Sequence, residues 1–184
     1  MGTLPNGTVR GNIKRFLREN ERDVTGDVLE IGSRVVIDGA WWMNNRDIGN
    51  ARSWTGIDSH AGQGVDRVMN AQCLEFPDNN FDCVICSEVL EHVEEPQKVI
   101  SEINRVLRPT GAAIITTLFS FPVHGFPDDY WRFTPSCMQM LMRKADFRKI
   151  HVTTDGHYQL TLCDHGDGVE SVDMFNHIFA LGYK

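Results

Sequence analysis

Short apolar runs alternate along the chain with segments whose apolar positions recur at helical spacing. The runs predict strands at residues 27–31, 53–58, 65–69, 81–86, 112–118 and 147–153, and residues 157–163 are a candidate for one more. Helical spacing marks a segment around Ile13, Phe16 and Leu17, and two segments that begin at Pro96 and Pro135. Strands that alternate with helices in this way predict right-handed crossovers. The expected fold class is therefore α/β, a doubly wound, mostly parallel sheet with helices on both faces.

The end of the first strand is the most informative stretch. The run stops abruptly at Gly32 and Ser33, as a buried parallel strand does when it delivers the chain to a ligand. Gly32 allows the backbone to turn and to approach a ligand closely. Glu30 is a carboxylate in an otherwise apolar run, where it is costly without a partner. Taken alone, the stretch fits equally well a surface-facing glutamate followed by an ordinary turn.

The second strand and the loop after the first strand together indicate which of two nucleotide cofactors the protein binds. The second strand ends at Asp58, which is well placed to accept hydrogen bonds from two ribose hydroxyls. Ser33 and Arg34 stand where a G-x-G-x-x-G loop has the glycines that admit a pyrophosphate. A nucleoside cofactor without a pyrophosphate does not need those glycines. The combination with Glu30 therefore favours S-adenosylmethionine over NAD.

Length and charge narrow the function classes. A chain of 184 residues suits one domain, with a flexible start over residues 1–12 that is rich in Gly, Asn and Thr. A net charge of −7 without a basic run argues against a nucleic-acid partner. The sequence has neither a signal-peptide core nor an apolar stretch of the roughly 20 residues that cross a bilayer, so no membrane partner is expected. Five cysteines without a disulfide framework predict a reducing, cytoplasmic location.

Two conspicuous motifs have ordinary structural explanations. Cys83 and Cys86 have C-x-x-C spacing, but residues three apart on a strand point to opposite faces. They are therefore expected to be buried small hydrophobes rather than a metal or redox pair. Trp41 and Trp42 lie in an unusual segment, residues 35–50, that could line or cover a pocket. Coverage of the sheet edge or core by the two indoles is the favoured alternative.

A long loop rich in aromatic, proline and polar residues leaves the carboxyl end of the fifth strand, which is the ligand side of open α/β sheets. Within this loop, residues 119–134, His124 is a candidate general base toward a hydroxyl acceptor, because imidazole exchanges a proton near neutral pH. Asp129, Tyr130 and Arg132 could orient the acceptor. The alternative is that Tyr130, Trp131 and Phe133 belong to the core and that Asp128 and Asp129 cap a turn. For the aromatic residues this alternative is favoured.

The third strand is followed by Asn70 and Ala71. The amide oxygen of Asn70 could accept a hydrogen bond from the exocyclic amine of an adenine beside the second strand. The ordinary alternative, an asparagine that serves the turn after the strand, is the more favoured of the two.

Four stretches in this order resemble one family. The chain resembles the class I S-adenosylmethionine-dependent methyltransferases, in the small single-domain, type 11-like group with a D-x-V-x-x-x-E-V-L-E-H-V signature. The matching stretches are residues 28–33, 56–58, 81–93 and 102–111. The resemblance implies a seven-stranded Rossmann-like sheet whose seventh strand forms a hairpin with the sixth. His92, which lies within the signature, is expected to be structural.

The resemblance also implies roles for particular residues. Glu30 and Gly32 would lie near the methionine moiety, Asp58 would hold the ribose, and Ser87 and Glu88 would line the methyl side. The full set of cofactor-binding residues is Glu30, Gly32, Ser33, Asp58, Ser59, Asn70, Ala71, Ser87 and Glu88.

The implied reaction is methyl transfer with S-adenosylhomocysteine as product. The implied acceptor is a small molecule, a glycan or a secondary metabolite, because residues 127–134 resemble a subgroup that modifies such compounds. Oxygen is one candidate acceptor atom, and the oligomeric state is open. The alternative function is a catalytically silent, methyltransferase-like binding module, which the incomplete glycine loop and the segment at residues 35–50 favour.

Overall fold

The computed structural model describes residues 9–35, 45–125, 128–163 and 169–184. The described α-helices are α1 (Val9–Glu19), α2 (Pro96–Val106) and α3 (Pro135–Lys144), and Glu21–Asp23 and Leu90–His92 are short 3-10 helices. The described strands are β1 (Thr25–Ile31), β2 (Asn50–Asp58), β3 (Arg67–Val68), β4 (Phe81–Ser87), β5 (Leu107–Leu118), β6 (Arg148–Asp155), β7 (Tyr158–Cys163), β8 (Val169–Met174) and β9 (His177–Tyr183).

Seven of these strands form one open sheet in the order β3-β2-β1-β4-β5-β9-β6. Within it β9 runs antiparallel to both neighbours, whereas the other pairings are parallel. β7 and β8 form a separate antiparallel pair. The predicted fold class, a doubly wound and mostly parallel seven-stranded sheet, is confirmed.

The sheet separates two apolar layers, because successive side chains of a strand point to opposite faces. Leu29 of β1 packs in the layer that contains α2 and α3, and Val28 packs in the layer that contains α1. Cys86 and Cys83 divide between the same two layers in the same way, as predicted for small buried residues on one strand. Helices therefore cover both faces of the sheet.

Local signals explain where the two later helices begin. Pro96 and Pro135 occupy first-turn positions, where the missing N–H leaves no donor unsatisfied. Thr134 caps α3, since its side-chain oxygen accepts a hydrogen bond from the backbone N–H of Cys137 at 3.1 Å. The stripe of buried residues on α2 is Val99, Ile100, Ile103 and Val106.

The candidate strand at residues 157–163 is confirmed as β7 (Tyr158–Cys163), but its expected place in the seven-stranded sheet was wrong. β7 pairs with β8 in the separate hairpin. The seventh strand of the sheet is β9, whose residues 177–182 are all buried, and it pairs antiparallel with β6. The implied antiparallel pairing was therefore right, while the segment differed. Both segments have the composition of a strand, and only burial between β5 and β6 distinguishes them.

Three smaller expectations also changed or could not be tested. The third strand is limited to Arg67–Val68 instead of residues 65–69. Helix α1 begins at Val9, so the start predicted as flexible over residues 1–12 is helical in its last part. Residues 1–8 and the pair Trp41–Trp42 lie outside the described residues.

None of the helices in the described ranges is long and apolar enough to cross a membrane.

Candidate cofactor and acceptor site

A cavity of about 800 Å³ opens at the carboxyl ends of the parallel strands. Gly32 follows β1, Asp58 ends β2, and Ser87 and Glu88 stand at the end of β4, and all four line the cavity. Strands β1 and β4 are neighbours although β2 and β3 lie on the far side of β1, so the strand order reverses at this point. Such a crevice is where open α/β sheets bind ligands, and its volume suits a small-molecule ligand.

The turn after β1 is held against the end of β2. Gly32 has a φ of +78°, a conformation that favours glycine, and its N–H donates to the carbonyl of Ile57 at 2.9 Å. The N–H and the hydroxyl of Ser33 donate to the same carbonyl, at 3.0 and 3.2 Å. Ser33 is 8% exposed and its side chain lies outside the cavity lining. The structure thus places the backbone of this turn, and not the serine hydroxyl, at the cavity.

Glu30 lies behind the cavity wall. Its carboxylate accepts hydrogen bonds from Asn45 Nδ2 at 2.6 Å and from Trp54 Nε1 at 2.9 Å. The residue is 5% exposed, so it is also not the surface-facing glutamate of the alternative interpretation. The partners that a buried carboxylate requires come from two segments of the chain that are distant from β1 in sequence.

The tip of β2 carries an oriented carboxylate. Asp58 Oδ1 accepts hydrogen bonds from the N–H of His60 at 3.0 Å and from the Ser59 hydroxyl at 3.4 Å. Both Asp58 and Ser59 line the cavity. These local bonds orient the carboxylate without neutralising it, so it can also accept hydrogen bonds from a ligand.

The residues after β3 border the same end of the cavity. Asn70 and Ala71 both line it. The side-chain oxygen of Asn70 accepts a hydrogen bond from the N–H of Gln72 at 2.9 Å, which is the turn-forming role of the favoured alternative. Any contact from Asn70 to an adenine amine would therefore share an oxygen that this turn already uses.

The end of β4 carries a strained glutamate. Glu88 has a φ of +53°, which is uncommon for a residue with a side chain and costs of order 1–3 kcal/mol. Its Oε1 accepts a hydrogen bond from Thr116 Oγ1 at 2.8 Å, and Thr116 lies 2.9 Å from the hydroxyl of Ser87. His177 of β9 is fully buried, with Nε2 3.8 Å from Glu88 Oε2. Backbone strain of this kind is concentrated at functional sites, in agreement with the position of Glu88 on the cavity.

An ion pair between Asp129 and Arg132 stabilises the described part of the loop after β5. Asp129, whose side chain is 2% exposed, pairs with Arg132 at 2.5 Å and accepts the backbone N–H of His124 at 2.8 Å. Arg132 also donates to the carbonyls of Phe121 and Pro122. The Arg132 guanidinium holds the pKa of the Asp129 carboxyl well below its usual range. Asp129 itself lies outside the cavity lining, and it positions the backbone around His124.

The aromatic residues of this loop differ in how deeply they are buried. Phe133 is 2% exposed and belongs to the core, in agreement with the favoured alternative. Tyr130 and Trp131 are 47% and 43% exposed, so the same interpretation is wrong for them. Tyr130 lines the cavity beside His124. The pKa of the Tyr130 phenol is raised, mainly by partial burial and to a lesser extent by its hydrogen bond with Asp128. Its hydroxyl therefore stays protonated at neutral pH.

Two residues of the cavity region were missed as site residues. His92 was expected to be structural, but it lines the cavity with its ring centroid 5.0 Å from that of His124. Glu91 is fully buried behind it, and its Oε2 accepts a hydrogen bond from Thr117 Oγ1 at 2.9 Å. Burial, more than the nearby Asp129 carboxylate, raises the pKa of Glu91 to about 7. The two consecutive polar residues in the E-V-L-E-H-V signature were the available signal.

Part of the sequence is similar to known methyltransferases. Residues 50–115 match the family model of a methyltransferase domain. The chain is 30% identical over 133 residues to the demethylmenaquinone methyltransferase of Renibacterium salmoninarum, and the match covers 56% of each sequence. The match thus spans little more than half the length of that curated relative.

Solved structures share the fold. A SAM-dependent methyltransferase from Archaeoglobus fulgidus matches with a TM-score of 0.70 and 15% identity, over 95% of this chain and 94% of the other. The 1,6-didemethyltoxoflavin-N1-methyltransferase of Burkholderia thailandensis, solved with S-adenosylhomocysteine, matches with a TM-score of 0.62 and 16% identity, over 97% of this chain and 79% of the other.

The fold is that of the class I S-adenosylmethionine-dependent methyltransferases, as the sequence resemblance implied. More particularly, residues 50–115 are similar to the methyltransferase domain that the family model describes. The similarity to a SAM-dependent methyltransferase agrees with the cofactor that the sequence predicts.

Proposed function

We propose that this protein transfers the methyl group of S-adenosylmethionine to a small-molecule acceptor. The observation that carries the proposal is the convergence of Gly32, Asp58 and Glu88, from the carboxyl ends of three neighbouring parallel strands, on one cavity. The sulfonium methyl of the cofactor is already activated for transfer. The protein therefore needs mainly to align the acceptor atom, the methyl carbon and the leaving sulfur.

At the cofactor end, the Asp58 carboxylate would accept hydrogen bonds from the ribose hydroxyls, and the Gly32 turn would let backbone approach the methionine part. Arg34, which stands where a glycine loop would continue, lines the cavity and offers a guanidinium to the methionine carboxylate. In this proposal the side chains of Glu30 and Ser33 support the cavity wall from outside the cavity lining. The remaining predicted contacts are Ser59, Asn70, Ala71, Ser87 and Glu88.

At the acceptor end, His124 and Tyr130 line the cavity and would face the acceptor. His124 is proposed to control the loss of the proton from a hydroxyl acceptor, and Asp129 to position His124. The names of two relatives mention demethylmenaquinone and 1,6-didemethyltoxoflavin, which supports a small-molecule acceptor and gives no support to a glycan.

Calorimetric titration with S-adenosylhomocysteine tests the cofactor site. We expect micromolar binding by the unmodified protein and about 10–100-fold weaker binding by Asp58→Ala, because hydrogen bonds to a charged acceptor are lost. Glu19→Ala removes an exposed carboxylate from the end of α1, outside the cavity lining, and should bind as the unmodified protein does.

Two results would contradict the proposal. Absence of binding by the unmodified protein would favour the silent binding module, and displacement of S-adenosylhomocysteine by NAD would favour a dinucleotide site.

A further inference from the structure

Glu91 presents a buried carboxylate oxygen that lacks a hydrogen-bond donor. Its side chain is fully buried, and Oε2 is satisfied by Thr117. Oε1 accepts no hydrogen bond from the residues that the structure describes. The ring nitrogen His92 Nε2 lies 4.0 Å from Oε1. A buried carboxylate oxygen in this situation is costly unless a hydrogen or a cation completes its surroundings.

The two histidines beside it each direct Nδ1 at an oxygen atom of the loop after β5. His92 Nδ1 lies 2.5 Å from the carbonyl oxygen of Asp128, so this ring nitrogen must carry the hydrogen. His124 Nδ1 lies 3.2 Å from the carbonyl of Pro122 and 3.1 Å from Asp129 Oδ2, which assigns the hydrogen to Nδ1 there too. A neutral imidazole that carries its hydrogen on Nδ1 keeps a lone pair on Nε2, which can then bind a metal ion.

This is the arrangement of metal-ligating histidines, which donate the other ring N–H to a carbonyl or a carboxylate. One ligating atom from each of Glu91, His92 and His124 lies within 4.8 Å of the others. Metal–ligand distances of about 2.0–2.2 Å require such atoms to stand roughly 3–4 Å apart, so side-chain movements of about 1 Å close the site.

We propose that Glu91, His92 and His124 bind a divalent first-row transition-metal ion such as Zn²⁺ or Mn²⁺. Two imidazoles and one carboxylate suit these ions better than Mg²⁺, which prefers oxygen ligands. His92 and His124 line the cavity and Glu91 lies behind them, so the open coordination positions face the cavity. This inference rests on the proposed methyl transfer and assigns the acceptor end of that site.

The ion would bind a hydroxyl oxygen of the acceptor. Coordination lowers the pKa of a bound hydroxyl, so its proton leaves to solvent at neutral pH. The alkoxide or phenolate oxygen then forms the new bond to the methyl carbon while the carbon–sulfur bond breaks. The electron pair of that bond stays on sulfur, and the sulfonium becomes the neutral thioether of S-adenosylhomocysteine. His124 thus acts on the acceptor proton through the ion.

Cobalt titration tests the site without acceptor or cofactor. Tag-free protein is stripped with a chelator, dialysed, and titrated with Co²⁺ while the visible absorption of the ion is recorded. We expect saturation at one equivalent, with displacement by Zn²⁺. Glu91→Gln and His124→Gln each remove one ligand and should weaken binding by 100-fold or more, above the roughly 10–100-fold that loss of an outer partner causes.

His151→Gln, an exposed histidine of β6, is the matched control and should titrate as the unmodified protein does. Thermal unfolding without metal verifies that the variants fold. Failure of the unmodified protein to bind Co²⁺ saturably, or equal binding by Glu91→Gln and His124→Gln, would overturn the metal site.

Parallel calorimetry with S-adenosylhomocysteine separates the two proposals. A protein that binds S-adenosylhomocysteine but not Co²⁺ refutes only the metal site. One that binds Co²⁺ through these residues but not S-adenosylhomocysteine refutes only the cofactor assignment. Glu91→Gln should keep its affinity for S-adenosylhomocysteine, since Glu91 lies outside the cavity lining.

Discussion

Replacement of Gly32 by alanine tests whether the incomplete glycine loop still depends on its remaining glycine. Gly32 adopts φ +78°, and a Cβ built on it would lie 2.3 Å from Val89 Cγ2 and 3.4 Å from the carbonyl of Ser87. The left-handed conformation costs a non-glycine residue about 1–2 kcal/mol. Relief of the overlap with Val89 by movement of packed groups costs about 1–3 kcal/mol more. Gly32→Ala should therefore lower the free energy of unfolding by roughly 2–5 kcal/mol.

Urea denaturation followed by circular dichroism measures this loss, and a double-mutant cycle divides it into its parts. Val89→Ala removes the methyl group that the new Cβ would meet, but leaves the backbone conformation unchanged. The double variant should therefore be more stable than the sum of the single effects predicts, by about 1–3 kcal/mol. The same variants should bind S-adenosylhomocysteine more weakly than the unmodified protein does, since the turn lines the cavity.

Gly62→Ala is the matched control. Gly62 does not have a positive φ, and the nearest atoms that its Cβ would meet among the described residues belong to the flexible side chain of Arg34, at 3.0 Å. A change within about 0.5 kcal/mol is expected there. A loss below about 1 kcal/mol for Gly32→Ala, together with unchanged affinity for S-adenosylhomocysteine, would refute the reasoning, because neither the strain nor the overlap would then exist.

Two further predictions concern stability. The pKa of Glu102 is held below its ordinary value of 4.5, mainly by hydrogen bonds from Arg105, so its contribution is complete at neutral pH and is lost as the pH falls below about 4.5. Glu102→Gln should flatten the acid limb of a plot of unfolding free energy against pH, and an unchanged limb would contradict this assignment. Thr134→Ala should cost about 0.5–2 kcal/mol in urea denaturation, because the N–H of Cys137 loses its cap, whereas Thr134→Ser should stay close to the unmodified protein.

The sequence by itself predicted the elements whose signals are local. The apolar runs of β1, β2, β4 and β5, and the prolines that begin α2 and α3, depend only on residues adjacent in the chain. Since parallel strands present their carboxyl ends on one edge, the order of these elements also indicated where Gly32, Asp58 and Glu88 converge. The fold and the location of the cavity could therefore be predicted.

Strand partners could not be predicted in the same way. β7 and β9 both have the composition of strands, but only β9 is inserted between β5 and β6. Propensity and alternation describe how well a segment fits a pleated surface, and they do not identify its neighbour. The neighbour is determined by burial, which depends on the whole chain, and β9 brings the buried His177 close to Glu88.

Side-chain partners were likewise decided by the tertiary structure. Glu30 was correctly recognised as a carboxylate that needs a partner, but Asn45 and Trp54, its donors, stand 15 and 24 residues away. His92 ends a short 3-10 helix and His124 lies in the loop after β5, and Asp128, which orients His92, is 36 residues distant from it. A sequence pattern records periodicity over a few residues, whereas hydrogen-bond partners depend on distances that only the packed chain establishes. The sequence therefore determined the framework and its ligand-binding edge, and the tertiary structure decided which polar groups meet there.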